Sequence, residues 1–177
     1  MSPKRKHRLG FTVDKLTNSI ENVPTGEIFE TEISRVTLDE LAHLTDDDWL
    51  FDWVSEFRES KREVFKLVTR QNPTVIQGLI SLTQRHDHVF VYLIESAPFN
   101  IGQKKIYAGV AGNLIAFACK RSFECGYGGA VSFTAKTQLM AHYEKMLGAK
   151  RFSYNQMFID TKEATALVRQ YFPNFAL

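Results

Sequence analysis

Apolar and polar positions alternate along GEIFETEISRV, residues 26–36, with Phe29, Thr31 and Ile33 set against Glu30 and Glu32. A period of two predicts a first strand with one buried face. Thr37 followed by Glu40 is a capping box, so TLDELAHL should open as a helix. DDDWLFDWVSEFRES comes next, with Trp49, Trp53 and Phe57 four apart behind an acidic start, which predicts an amphipathic helix. REVFKLVTR reads as a second strand, stopped by Gln71-Asn72-Pro73. VIQGLISLTQR and HVFVYLIES read as third and fourth strands of an antiparallel hairpin turning at Arg85 to His88. HVFVYLIES is apolar on both faces, as a central strand covered on both sides would be. A glycine-led helix from Gly109, a short strand GAVSFTA, a helix TQLMAHYEKML, a strand RFSYNQMFID and a last helix from Thr161 to about Tyr171 complete the pattern. The class is α/β with a mixed sheet.

Composition narrows the function little. The chain has 177 residues, 44% hydrophobic and 24% charged, with a formal net charge of +2. That suits one domain, and the charge does not suggest a general nucleic-acid binder. Residues 1–25 read as a basic and polar extension, with Lys4, Arg5, Lys6 and Arg8 clustered at its start, and residues 26–177 as the folded domain. No run approaches the about 18 apolar residues of a membrane helix, and no apolar signal core follows the basic start, so a cytoplasmic protein is expected. Cys119 and Cys125 have no metal-ligand spacing around them and read as free thiols, Cys119 as a small core residue. No metal is expected.

Chemistry concentrates around Tyr107-Ala108-Gly109-Val110-Ala111-Gly112-Asn113, small residues between an apolar strand and an apolar helix. Glycines at a helix N-terminus let unpaired N–H groups approach an anion, and they also serve plain close packing. A P-loop is excluded because Asn113 and Leu114 stand where Lys and Ser or Thr are required. A dinucleotide fingerprint is excluded by the missing third glycine and by Gly129-Ala130-Val131 at the acidic residue's place.

The order of elements resembles the GNAT N-acetyltransferase superfamily, and three local matches carry the resemblance. Gly109-Val110-Ala111 fits the second half of the family's Q/R-x-x-G-x-G/A pyrophosphate loop, although Ile106 stands where Gln or Arg is usual. Ile94-Glu95-Ser96-Ala97-Pro98 looks like the strand end L-x-V-x-P, and Ala141-His142-Tyr143-Glu144-Lys145 followed by Leu147-Gly148 is similar to F-Y-E-K-L-G-F. Lys136 and Leu139 depart from N-x-x-A-x-x-x-Y, Asn100 to Lys105 is an insertion, and the chain ends in a helix where the family has a sixth and seventh strand as a hairpin.

The resemblance implies a largely antiparallel, twisted, helix-flanked sheet splayed between the fourth and fifth strands. It implies acetyl-CoA, or another acyl-CoA, held by Ile94, Ser96 and residues Tyr107, Ala108, Gly109, Val110, Ala111, Gly112 and Asn113. The acceptor would be a small-molecule or protein amine attacking the thioester directly. The backbone of Ser96, at a presumed bulge, becomes the oxyanion donor and Tyr143 the general acid. Glu95 is the first candidate base, with His142 and the His86-Asp87-His88 turn as others. A homodimer is compatible with this reading. Two alternatives stay open: a non-catalytic acyl-CoA-binding or interaction module on the same fold, and a toxin acylating aminoacyl-tRNA through the basic tail.

Overall fold

The structure is a computed structural model describing residues 8–17, 19–44 and 49–177. Lys4, Arg5 and Lys6 of the basic cluster, and the acidic run 46–48, lie outside the described residues. The elements, in order, are β1 (Ile20–Asn22), β2 (Ile28–Phe29), β3 (Thr31–Arg35), α1 (Leu38–Ala42), α2 (Trp53–Arg58), β4 (Glu63–Thr69), β5 (Gly78–Gln84) and β6 (Val89–Ser96). After them come β7 (Tyr107–Ala108), α3 (Val110–Glu124), β8 (Val131–Thr134), α4 (Met140–Leu147), β9 (Lys150–Arg151), β10 (Gln156–Ile159) and α5 (Thr161–Tyr171). The main sheet has the order β3-β4-β5-β6-β8-β10-β9, and a small sheet has the order β2-β1-β7. Every pairing between these strands is antiparallel except β6 with β8.

Alternation along the strands divides the core. Phe65, Leu67, Ile80 and Leu82 face α3, α5 and the larger apolar cluster, whereas Val64 and Leu79 face Trp53 and Leu41 of the two short helices. α3 is apolar nearly all round because it is covered nearly all round, by β5 and β6 on one side and α5 on another. The capping box forms as expected: Thr37 N donates to Glu40 Oε2 at 2.9 Å, and Glu40 N donates to Thr37 Oγ1 at 3.2 Å.

Three expectations are corrected. The Trp49–Phe57 periodicity becomes a helix only from Trp53, because Asp52 caps it, its carboxylate accepting from Ser55 N at 3.0 Å. Trp49 precedes that helix in irregular backbone. RFSYNQMFID is not one strand. It turns through residues 152–155, where Tyr154 is 81% exposed, so β9 folds back on β10 and supplies the terminal hairpin that the sequence reading missed. Residues 8–17 and 19–22, part of the stretch 1–25 read as a polar extension, pack into the fold: Leu9, Val13 and Ile20 are buried in the main cluster, and β1 pairs with both β2 and β7.

Candidate functional site

The fourth and fifth expected strands are β6 and β8, and they do part. They pair in parallel at Val89↔Val131, Phe90↔Ser132 and Val91↔Phe133, and β6 continues to Ser96 with no β8 partner. Ala97 N donates to Gln77 O at 2.9 Å, toward β5. Peptide groups alternate along a strand, so those of Ile94 and Ser96 turn the other way, into the gap.

The bulge in β6 is not at Ser96, which pairs in register with Gly78. It lies at Tyr92, skipped between Leu82↔Val91 and Ser81↔Leu93. The extra residue reverses the faces of all that follows. Val91 and Ile94 therefore share the α3 face, while Leu93 and Leu79 share the Trp53 face. Glu95 is carried with Leu93 to that second face. There its two oxygens accept from Leu50 N at 2.5 Å and Trp53 Nε1 at 2.7 Å. Burial pushes the Glu95 carboxyl above the usual carboxylate range, against the opposing pull of those hydrogen bonds.

Gly109 opens α3 in the left-handed region at φ 90°, which a residue with a Cβ resists. A Cβ there would lie 2.5 Å from Thr17 Oγ1 and 2.9 Å from Ser19 O; one on Gly112 would lie 2.5 Å from Tyr171 Oη. Both glycines are thus required for the close packing of Leu16, Thr17, Ser19 and Tyr171. The anion at this helix end belongs to the chain itself: Gly109 N donates to Asp14 Oδ1 at 3.1 Å, and Asp14 Oδ2 pairs with Lys105 at 2.8 Å. Tyr107 and Ala108 form β7 and pair with β1, and the Tyr107 N–H is spent on Asn100 Oδ1 at 3.1 Å. Buried Asn113 donates Nδ2 to Thr31 Oγ1 at 3.0 Å, and its Oδ1 has no partner among the described residues. Val110, Ala111 and Gly112 form the buried first turn, and the first hydrogen bond inside α3 runs from Asn113 N to Gly109 O.

A cavity of about 430 Å³ lies in the gap. Its walls include Ile94, Glu95 and Ser96 of β6, Phe11 and Asp14 of the N-terminal segment, and Lys136. The insertion forms its rim through Asn100, Ile101 and Lys105. Tyr143 does not line it: the hydroxyl donates to Phe11 O at 2.6 Å, and burial holds its pKa above the ordinary tyrosine range. His142 Nε2 accepts from Val13 N at 2.9 Å. His86, Asp87 and His88 form the β5–β6 turn, at the opposite end of β6 from Ser96. Cys119 is buried with its thiol pushed up to about 12, a packed core group.

The structure therefore brings together Ile94, Glu95, Ser96, Gly109 and Val110, and separates Tyr143 from them by Phe11. Sequence reasoning missed Asp14, Asn100, Lys105 and Lys136. The hydrophobic spacing of Leu9, Phe11 and Val13 was the available signal that residues 9–14 belong to the fold.

No family model matches the sequence, and no curated protein is significantly similar to it. Among solved structures, AtaTR bound with AcCoA is 16% identical at a TM-score of 0.55, over 78% of this chain and 98% of that one. A mutant of the spermidine N-acetyltransferase SpeG from Vibrio cholerae is 13% identical at a TM-score of 0.56, over 77% of this chain and 96% of that one. A chimera of the same SpeG with hSSAT is 14% identical at a TM-score of 0.52, over 77% of this chain and 98% of that one. The mixed, mostly antiparallel seven-strand sheet flanked by helices agrees with these likenesses, and the chain has the fold of the GNAT N-acetyltransferases.

Proposed function

We propose that the chain is an acyl-CoA-dependent N-acyltransferase, with acetyl-CoA as donor and a small-molecule or protein amine as acceptor. One observation supports this most: β6 and β8 pair for three residues and then part, beside a helix N-terminus whose first N–H already holds a carboxylate. The cradle suits an anion, and the peptide groups turned into the gap suit an extended amide-bearing ligand. Neighbours of this fold include a protein solved with AcCoA and a spermidine N-acetyltransferase.

Bound acyl-CoA would supply an activated thioester carbonyl. The backbone of Gly109 to Gly112 is the candidate cradle for the pyrophosphate, with Ile94 and Ser96 the candidate partners of the pantetheine amides. Ser96 N–H would polarise the carbonyl oxygen. Glu95, whose carboxyl burial holds above its usual pKa, would take the proton of the attacking amine. Tyr143 would return a proton to the sulfur once its hydroxyl is released from Phe11 O.

The test is free-thiol release from acetyl-CoA with a panel of amines, spermidine included, on the wild type and on Tyr143→Phe. The variant should lose about a hundredfold or more in turnover while still binding coenzyme A. Binding of CoA with no turnover on any amine would select the second reading, a non-catalytic acyl-CoA-binding module, which the commitment of the Tyr143 hydroxyl to Phe11 O favours.

A further inference from the structure

We propose that residues 9–17 are a built-in competitor for the acyl-CoA groove, the Asp14 carboxylate standing in for a phosphate at the N-terminus of α3; this rests on the acyl-CoA reading above.

The path of the segment carries the inference. Leu9 bridges Ala135 in parallel: Leu9 N donates to Thr134 O at 2.6 Å, and Lys136 N donates to Leu9 O at 3.0 Å. Ala135 N donates to Asn155 O at 2.8 Å, on the β10 side. By alternation Thr134 O and Lys136 N face the β6 side, so Leu9 enters the gap where β6 has left β8. From there the chain passes the groups that acyl transfer would need. Phe11 O accepts the Tyr143 hydroxyl, Val13 N is held by His142 Nε2, and Asp14 Oδ1 accepts Gly109 N. Thr17 N then donates to Tyr171 Oη at 2.9 Å, beside Gly112. The cavity in the gap is the space this segment leaves between itself and Ile94–Ser96.

The contacts have the strength of a competitor. Beyond the two-bond bridge at Leu9 they are single hydrogen bonds at intervals, not a continuous ladder, although Leu9 and Val13 are buried. The Asp14 and Lys105 side chains are 21% and 27% exposed, so water and an incoming anion reach their ion pair. A pyrophosphate brings more negative charge to the same N–H groups and to Lys105 than one carboxylate does. Displacing Asp14 would free the Gly109 N–H, and withdrawing Phe11 would free the Tyr143 hydroxyl. One movement thus opens the binding site and releases the candidate acid.

The test is calorimetric titration of the full chain with coenzyme A, on wild type and Asp14→Asn, with amide hydrogen exchange followed at Leu9, Val13 and Thr17. The substitution keeps an acceptor for Gly109 N while removing the competing charge. Asp14→Asn should bind coenzyme A about threefold tighter or better. Saturating coenzyme A should abolish exchange protection at all three wild-type amides. Equal affinity in both proteins, with protection retained under saturating coenzyme A, would overturn the proposal and make the segment a fixed wall, while leaving the acyl-CoA reading in place. No coenzyme A binding by wild type, Asp14→Asn or Asp14→Asn/Phe11→Ala, all with native amide protection elsewhere, would overturn the acyl-CoA reading and the proposal with it. The exchange measurement on wild type stands even if a variant fails to fold.

Discussion

At Gly109 both conformation and packing resist a side chain. Its φ of 90° would strain an alanine, and the added Cβ would also collide with Thr17 Oγ1 and the Ser19 carbonyl. Gly126 has a similar φ of 79° with open space around it. The pair separates the two costs. Gly126→Ala should destabilise by about 1 kcal/mol and Gly109→Ala by about 3 kcal/mol, read from denaturant midpoints at constant slope. Equal losses would mean that the Thr17 contact yields freely. The position had looked like a ligand loop or a packing device; it does pack closely, and the same backbone that admits Thr17 and Ser19 presents its N–H to Asp14.

At the scale of elements, the bulge at Tyr92 decides the chemistry of β6. Without it, Glu95 would share the Val91 face and lie under α3. With it, the carboxylate meets Trp53 and the backbone of Leu50. A second polar pin holds the same region: Glu56 of α2 accepts from Ser81 Oγ at 2.6 Å and pairs with Arg62 at 2.7 Å. Arg62 also lies 4.0 Å from the centroid of the Tyr92 ring. Those Arg62 and Glu56 side chains are 15% and 5% exposed, so removing the cation leaves a buried negative charge. Arg62→Met should cost about 3 kcal/mol in chemical unfolding, and adding Glu56→Gln should recover most of it, since the charge then goes with its partner. A double variant no better than the single would show that the guanidinium acts through its stacking on Tyr92.

For the molecule as a whole, the question is where the domain begins. An independent polar extension would contribute nothing to global stability. Leu9 and Val13 are each 2% exposed and join the main apolar cluster, with Leu9 bonded to the end of β8. Leu9→Ala should therefore lower unfolding free energy by about 2 kcal/mol and the thermal midpoint by about 5 °C. An unchanged midpoint would return the segment to the status of a tail. The same integration makes the segment a competitor with consequences, because displacing it gives up apolar burial as well as hydrogen bonds.

Local signals were enough for most of the elements. Period-two alternation marked the stretch that holds β2 and β3, apolar runs between turn residues marked β4, β5 and β6, and the capping box marked α1, because each depends on neighbours within one turn or one strand. The splay between β6 and β8 was legible only through motif resemblance, which is also what proposes roles for Ile94 and Ser96 within it. What tertiary structure alone decided lies in long-range pairings. Asp14 meets Gly109 N across ninety-five positions and Phe11 O meets Tyr143 across one hundred and thirty-two, separations that no sequence window spans. The bulge at Tyr92 belongs with these, because a residue is extra only by comparison with the partner strand it fails to face. Residues 8–17 looked polar and weakly patterned because their few apolar side chains have no face of their own to bury. They fill a gap that exists only after two distant strands have met and parted.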